Sequence, residues 1–127
     1  MKILFISTIN PKHQGDYLEL TAIHGLRKLL SNNFIEYPKK KIIYGDFSDS
    51  PKKTLHGKGF SLLREKIEDV DRSNIFDTKF DAVIYGTGHS IGEDVYLDKF
   101  DQLADNNSWV LDGHDLYGKA KIKRKYK

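Results

Sequence analysis

Three times along the chain a short apolar run stops abruptly at a polar loop. Residues 3–6, Ile-Leu-Phe-Ile, run into Ser7, Thr8, Ile9 and Asn10. Residues 82–85, Ala-Val-Ile-Tyr, run into Gly86, Thr87, Gly88, His89 and Ser90, and residues 109–111 run into Asp112, Gly113, His114 and Asp115. Apolar, β-branched and aromatic runs without polar alternation are the pattern of strands covered on both faces, as in a parallel sheet. The pattern predicts three strands that deliver polar loops to one carboxyl edge, where open α/β sheets bind ligands.

Helical spacing fills the gaps between these runs. Leu18, Ala22, Leu26, Leu29 and Leu30, with Ile23 beside them, predict a helix over residues 17–30 packed on the sheet. Asp16 reads as its N-cap and Glu19 as the N3 member of a capping box. Residues 34–37 predict a second strand cut short by Pro38, and the three lysines at 39–41 read as a solvated charge run. Residues 42–44 read as a small extra strand or an ordered loop. Residues 45–59 hold three glycines and one proline, the longest irregular stretch, and an edge strand is expected around residues 60–63. A short helix or turn over 71–76 leads to the strand at 82–85. Val95, Tyr96, Lys99, Phe100, Leu103 and Ala104 then predict a helix over 93–104, with Glu93 and Asp94 suited to its first turn. The fold expected is α/β, a small Rossmann-like three-layer sandwich with a mostly parallel sheet. Residues 1–118 form a single domain in this reading and residues 119–127 a basic C-terminal tail.

Composition narrows the chemistry. At 127 residues the chain has the length of one domain. It has no cysteine, which removes disulfides, thiolate nucleophiles and Cys-based metal sites. No signal peptide is legible at the start, and no stretch approaches the roughly 18 apolar residues of a membrane span, so a cytoplasmic location is expected. The net charge of +3 is unevenly spread. Lys119, Lys121, Lys123, Arg124, Lys125 and Lys127 leave only 15 of the 21 basic residues to face all 18 acidic ones, so residues 1–118 carry a net −3. The tail could touch nucleic acid or an anionic membrane, but a solubilising end is the favoured reading.

The loops carry the candidate chemistry. Ser7 and Thr8 offer hydroxyls beside a helix N-terminus, with Lys12 and His13 adding positive charge for an anion. There is no G-x-G-x-x-G and no G-x-x-x-x-G-K-[ST], which disfavours dinucleotide and P-loop readings. In the second loop Gly86 and Gly88 allow close backbone approach, Thr87 and Ser90 offer hydroxyls, and His89 can act as acid or base near neutral pH. A tight turn in which His89 fills space is the plainer alternative. Asp112, His114 and Asp115 concentrate two carboxylates and an imidazole, ligands a divalent metal would accept with His89, although no specific metal spacing is present. Those carboxylates could instead orient His114 or accept sugar hydroxyls. His56, flanked by Lys52, Lys53 and Lys58, is placed to close over a bound anion. Serine nucleophile chemistry lacks its G-x-S-x-G elbow.

The opening M-K-I-L-F-I-S-T with Gly15, Asp16 and Tyr17, the run D-A-V-I-Y-G and the run W-V-L-D-G-H-D together resemble the N-terminal Rossmann-like half of GT-B glycosyltransferases, particularly the CgeB-like bacterial group. The resemblance spans about residues 1–116. It implies a half that shapes the acceptor side, with the nucleotide-sugar gripped by a C-terminal half whose E-x-x-x-x-x-x-E type motif has no counterpart here. The expectation is a glycosyltransferase-like domain binding a sugar or phosphorylated ligand, incomplete as a transferase alone, with His89 or Asp112 as general base on an acceptor hydroxyl. Ser7, Thr8, His13, Gly86, Thr87, Gly88, Ser90, His114 and Asp115 are its expected ligand contacts, with no metal required. The alternatives are a small metal-dependent hydrolase or phosphotransfer enzyme, and a non-catalytic interaction module with a basic tail. Expected partners are a small sugar or phosphorylated molecule, and a second copy of the chain or a separate catalytic half.

Overall fold

The computed structural model describes residues 1–7, 17–44, 67–86, 97–105 and 107–111. Within them four short strands, β1 (Ile3–Ile6), β2 (Phe34–Tyr37), β3 (Ala82–Tyr85) and β4 (Ser108–Val110), form one sheet in the order β2-β1-β3-β4. All three pairings are parallel, with Ile3 opposite both Phe34 and Ala82, and Val83 opposite Ser108. The carboxyl ends of the strands therefore share one edge. The chain steps from β1 outward to β2 and then returns past β1 to β3, so the strand order reverses between β1 and β3.

Alternation along β1 sorts its side chains to two faces. Ile3 and Phe5 pack with Phe34 against Leu20 and Ile23 of α1 (Tyr17–Leu30). Leu4 and Ile6 pack with Val83 and Tyr85 against Phe100 of α2 (Leu97–Asp101) and against Leu103 and Ala104 in the 3-10 turn that follows. The result is a mixed α/β domain with a parallel sheet and one helix on each face, consistent with a generic Rossmann-like arrangement. Burying a side chain the size of Ile23 contributes on the order of 2 kcal/mol, so a handful of such positions per face is enough to hold each helix. Among the described residues no helix is long and apolar enough to cross a membrane.

The structure adjusts several expectations. The last strand starts one residue early, at Ser108 rather than Trp109. Residues 42–44 do not form a strand: Lys41–Ile43 is a 3-10 turn whose Ile42 and Ile43 are buried under α1's side of the sheet. Over 71–76, where a short helix or turn was expected, Ser73 and Asn74 form a turn that leads into the 3-10 turn Ile75–Asp77. The buried stripe of α1 is rotated from the expected one. Leu29 is 80% exposed, while Glu19, Leu20, Ile23 and Arg27 face inward. The rotation follows from Glu19, which pairs with Lys40 far along the chain, and from Arg27, which donates to the carbonyls of Ser31, Phe34, Glu68 and Asp69. The three lysines at 39–41 are not a solvated run, because Lys40 is 1% exposed, Lys39 is half-buried and only Lys41 is exposed. The expected strand at 60–63, the loop at 45–59 and the tail at 119–127 lie outside the described residues.

The two outer strands are finished differently. On β2 the peptide groups of Phe34 and Glu36 point away from β1, since Tyr37 accepts from Ser7 N–H on the inner side. Arg27, buried under α1, donates to Phe34 O at 2.7 Å and to Ser31 O at 2.7 Å. Arg72 donates from Nε to Glu36 O at 2.8 Å. Phe34 N–H is taken by Ser31 O. Guanidinium groups thus cap the carbonyls that an edge strand would otherwise offer to another chain. No described residue does this for β4.

Candidate functional site

The carboxyl edge between β1 and β3 is the point of strand-order reversal, where doubly wound sheets form a crevice. Two expected site residues are described there, and the ladder brings them side by side. Ser7 N–H donates to Tyr37 O and Gly86 N–H donates to Ile6 O, each at 2.8 Å, so both residues extend their strands by one position. Ser7 follows Phe5, and Gly86 follows Ile84, on the α1 face.

Ser7 is 1% exposed, and its hydroxyl has no hydrogen-bond partner. Burying a hydroxyl without a partner costs about 1–3 kcal/mol, and native structures hold few such groups. Gly86 is constrained by its own chain. A Cβ there would sit 2.6 Å from Phe5 Cζ and 2.7 Å from Glu19 Oε1, inside any real contact distance. The absent side chain is thus already explained by the Phe5 ring and the Glu19 carboxylate packing against the β3 backbone. Close approach of a ligand is the role expected of this glycine from the sequence, and internal packing is a second, independent reason for it.

Glu19 is 0% exposed and its Oε2 pairs with Lys40 Nζ. The pair joins α1 to the segment after β2 directly behind the crevice. Two opposite charges taken out of water together leave no net charge at that wall, so an anion approaching Gly86 meets no uncompensated carboxylate. Glu19 and Lys40 were both missed as site residues, one read as a cap and the other as a surface lysine. The Asp16 cap itself lies outside the described residues.

A second polar cluster lies on the same face at the β2 flank. Glu36, fully buried, accepts from Tyr44 Oη at 2.6 Å and from Arg72 Nη2, while Arg72 Nη1 donates to Asp69 at 2.6 Å. Burial, reinforced by the charge and hydrogen bond of Glu36, pushes the Tyr44 phenol far above its ordinary value. A phenol held protonated in this way is a hydrogen-bond donor and no base. Burial works to raise Asp69, but hydrogen bonds from Lys39 and Arg72 outweigh it and hold the carboxyl well below the usual range. Burial opposes the Arg72 charge, and its bonds to Asp69 and Glu36 more than restore it. Each charge here is answered by a neighbour, which makes the cluster a fastening between β2 and residues 69–72.

On the α2 face, Tyr85 Oη and Ser108 Oγ both donate to Asp101 Oδ1, at 2.6 and 2.8 Å. This buried carboxylate ties β3 and β4 to the end of α2. Among the described residues no three His, Asp or Glu side chains are grouped to hold a metal ion. Thr8, His13, Thr87, Gly88, His89, Ser90, Asp112, His114 and Asp115 lie outside the described residues, as does His56. What the fold places is their point of departure. Ser7, Gly86 and Leu111 leave adjacent parallel strands at one edge, with Leu111 N–H bonded to Tyr85 O at 2.8 Å. Comparison with protein-family models, with curated proteins and with solved structures finds no match.

Proposed function

We propose that this chain is a small Rossmann-like domain that binds a sugar or phosphorylated small molecule at the carboxyl edge between β1 and β3. The observation that carries the reading is the Ser7 hydroxyl, buried and without a partner at the position where the strand order reverses. An O–H in that state is a donor waiting for an oxygen acceptor, and phosphate and sugar oxygens are acceptors of the right kind. The neutral Glu19–Lys40 wall and the shared edge at which Ser7, Gly86 and Leu111 end their strands support the same reading. In the glycosyltransferase-like form of the proposal, His89 or Asp112 takes a proton from an acceptor hydroxyl, and the activated donor is held by another domain or chain. His13, Thr87, Ser90, His114 and Asp115 supply further contacts in this proposal.

A thermal-shift and calorimetric screen against nucleotide sugars, sugar phosphates, inorganic phosphate and divalent metals tests it, since a ligand of the native state raises its apparent stability. Ser7→Ala is the informative variant. Removing an unpaired buried hydroxyl leaves the free protein as stable or slightly more so, whereas loss of one ligand hydrogen bond weakens binding by about tenfold. A sugar or phosphate ligand whose affinity falls in Ser7→Ala and again in His89→Ala is the expected result. A metal alone stabilising the chain would shift the reading to a hydrolase, and silence across every class would overturn it.

A further inference from the structure

Two side chains on the α1 face of the sheet each bury a polar atom that has no hydrogen-bond partner among the described residues, Ser7 Oγ and Glu36 Oε2. Both residues are almost wholly out of solvent, Ser7 at 1% and Glu36 at 0% exposed. Glu36 stands in register with Phe5, and Ser7 lies two residues beyond Phe5 on the same side, so the two are diagonal neighbours on adjacent strands. Strand spacing and rise put their Cα atoms roughly 8 Å apart. The glutamate is satisfied through one oxygen alone. Tyr44 Oη at 2.6 Å, Arg72 Nη2 and the Lys40 N–H at 3.4 Å all donate to Oε1. Lys40 holds both sides of this space, its backbone at Glu36 on β2 and its ammonium at Glu19, whose other oxygen lies against Gly86 on β3. Ser7 belongs to the strand between them. The unpartnered hydroxyl and the unpartnered carboxylate oxygen thus share one face, within the span that Lys40 bridges.

We infer that the group received at Ser7 is a neutral hydroxyl, as on a sugar ring, and that Glu36 Oε2 is its second anchor; this rests on the reading of the edge as a ligand site and chooses sugar over phosphate within it. The two unpartnered atoms need opposite things. A carboxylate ion-paired with Arg72 only accepts, so Oε2 needs a donor, whereas the Ser7 hydroxyl has a proton to give. A ligand hydroxyl accepts through a lone pair and donates its own hydrogen, and so completes both at once. One oxygen bonded to each at about 2.8 Å spans a gap that the pair does not close directly. A fully ionised phosphate has acceptors and no hydrogen to give, and it would set a second negative charge beside Glu36. The flanking charges favour a neutral group in the same way. Lys40 is committed to Glu19 and Arg72 to Glu36, so an anion would have to break an existing ion pair to be neutralised there. A buried water can make the same two bonds, and the binding measurements separate it from a sugar.

Calorimetry on the full chain compares the methyl glycosides of glucose, galactose and mannose with inorganic phosphate. The expected result is binding of a neutral glycoside without comparable binding of phosphate. In the glycoside that binds, each hydroxyl is then replaced in turn by hydrogen and by fluorine. One position is expected at which both replacements weaken binding about tenfold or more, because fluorine restores no donor for Glu36. This comparison uses the unaltered protein, so it stands whether or not a change at buried Glu36 lets the chain fold. Ser7→Ala and Glu36→Gln are each expected to weaken the same glycoside about tenfold, and Tyr44→Phe, which alters the bonds to Oε1 alone, to leave it within about twofold. Phosphate binding that falls in Ser7→Ala, with no glycoside bound, overturns this inference and leaves the ligand site standing. A glycoside that binds but shows no such position also overturns it. Silence from every glycoside does the same, and means that the pair seats an internal water only; the screen of nucleotide sugars and sugar phosphates then decides the edge separately.

Discussion

The β1–β2 half of the sheet is fastened by buried charge, and the β3–β4 half by hydroxyls on a single carboxylate. In the first half Glu19 meets Lys40, Glu36 meets Arg72 and Tyr44, and Arg27 closes over the carbonyls of Phe34 and Ser31. In the second, Tyr85 and Ser108 share Asp101, and among the described residues none caps the outer strand. The difference teaches where each half is vulnerable. A charge-fastened half loses most when one partner is removed, because the survivor stays buried without the opposite charge that balanced it. The other half is held by hydrogen bonds to one buried carboxylate, and its outer strand has no cap among the described residues.

The largest effect is expected from Glu19→Gln, which removes the carboxylate charge that faces buried Lys40 beneath α1. Denaturant unfolding is expected to register a loss of about 3–5 kcal/mol, and the paired change Glu19→Leu with Lys40→Met to recover most of it. A loss under about 1 kcal/mol in the single variant would break the comparison at its strongest point. Next comes Arg27→Met, expected to cost about 2–3 kcal/mol because carbonyls at the β2 edge lose a charged donor. The same assay on Val110→Pro, which removes an N–H turned away from β3, is expected to show a clearly smaller loss, which sets the two edges side by side. Gly86→Ala, at the seam between the halves, is expected to cost about 1–3 kcal/mol through overpacking against Phe5 and Glu19.

The smallest effects are those of pH, and both arise on the β2 flank. The Asp69 carboxyl is depressed in the folded chain, so its contribution is present above the ordinary carboxylate range and is lost as the pH falls below it. The Tyr44 phenol is raised, so its contribution is present below the ordinary phenol range and is lost as the pH rises above it. Asp69→Asn is expected to flatten the acid limb of the stability profile, and Tyr44→Phe the alkaline limb. Unaltered limbs in both variants would mean that the cluster holds β2 by packing alone.

The strands were legible because burial on both faces leaves an unbroken apolar run, and β2 and β3 appear at the residues expected. The helix over 17–30 was legible in extent but not in orientation. Its buried face includes Glu19 and Arg27, whose partners lie as many as 21 and 42 residues away, beyond any window of periodicity. Lys40 is hidden from sequence reading for the same reason, since a lysine between two lysines has the composition of a surface. At the candidate site, Ser7 was legible as a hydroxyl at a strand end, whereas its lack of a partner is a fact of three dimensions. Gly86 was legible as a special glycine, and only the position of the Phe5 ring and the Glu19 carboxylate supplies the reason.

Arg27 also bears on the order in which the chain assembles. Its Nη1 binds Ser31 and Phe34, within one βαβ neighbourhood, while its Nη2 contacts the carbonyls of Glu68 and Asp69. The first set can form as soon as α1 settles on β1 and β2, but the second waits for a loop of about forty residues to close, an entropic cost that a charged donor with local acceptors does not have to await. The guanidinium therefore acts as a latch with two stages, local first and distant second. Amide exchange should follow that order in reverse, with residues 68–72 opening ahead of β2 and the end of α1.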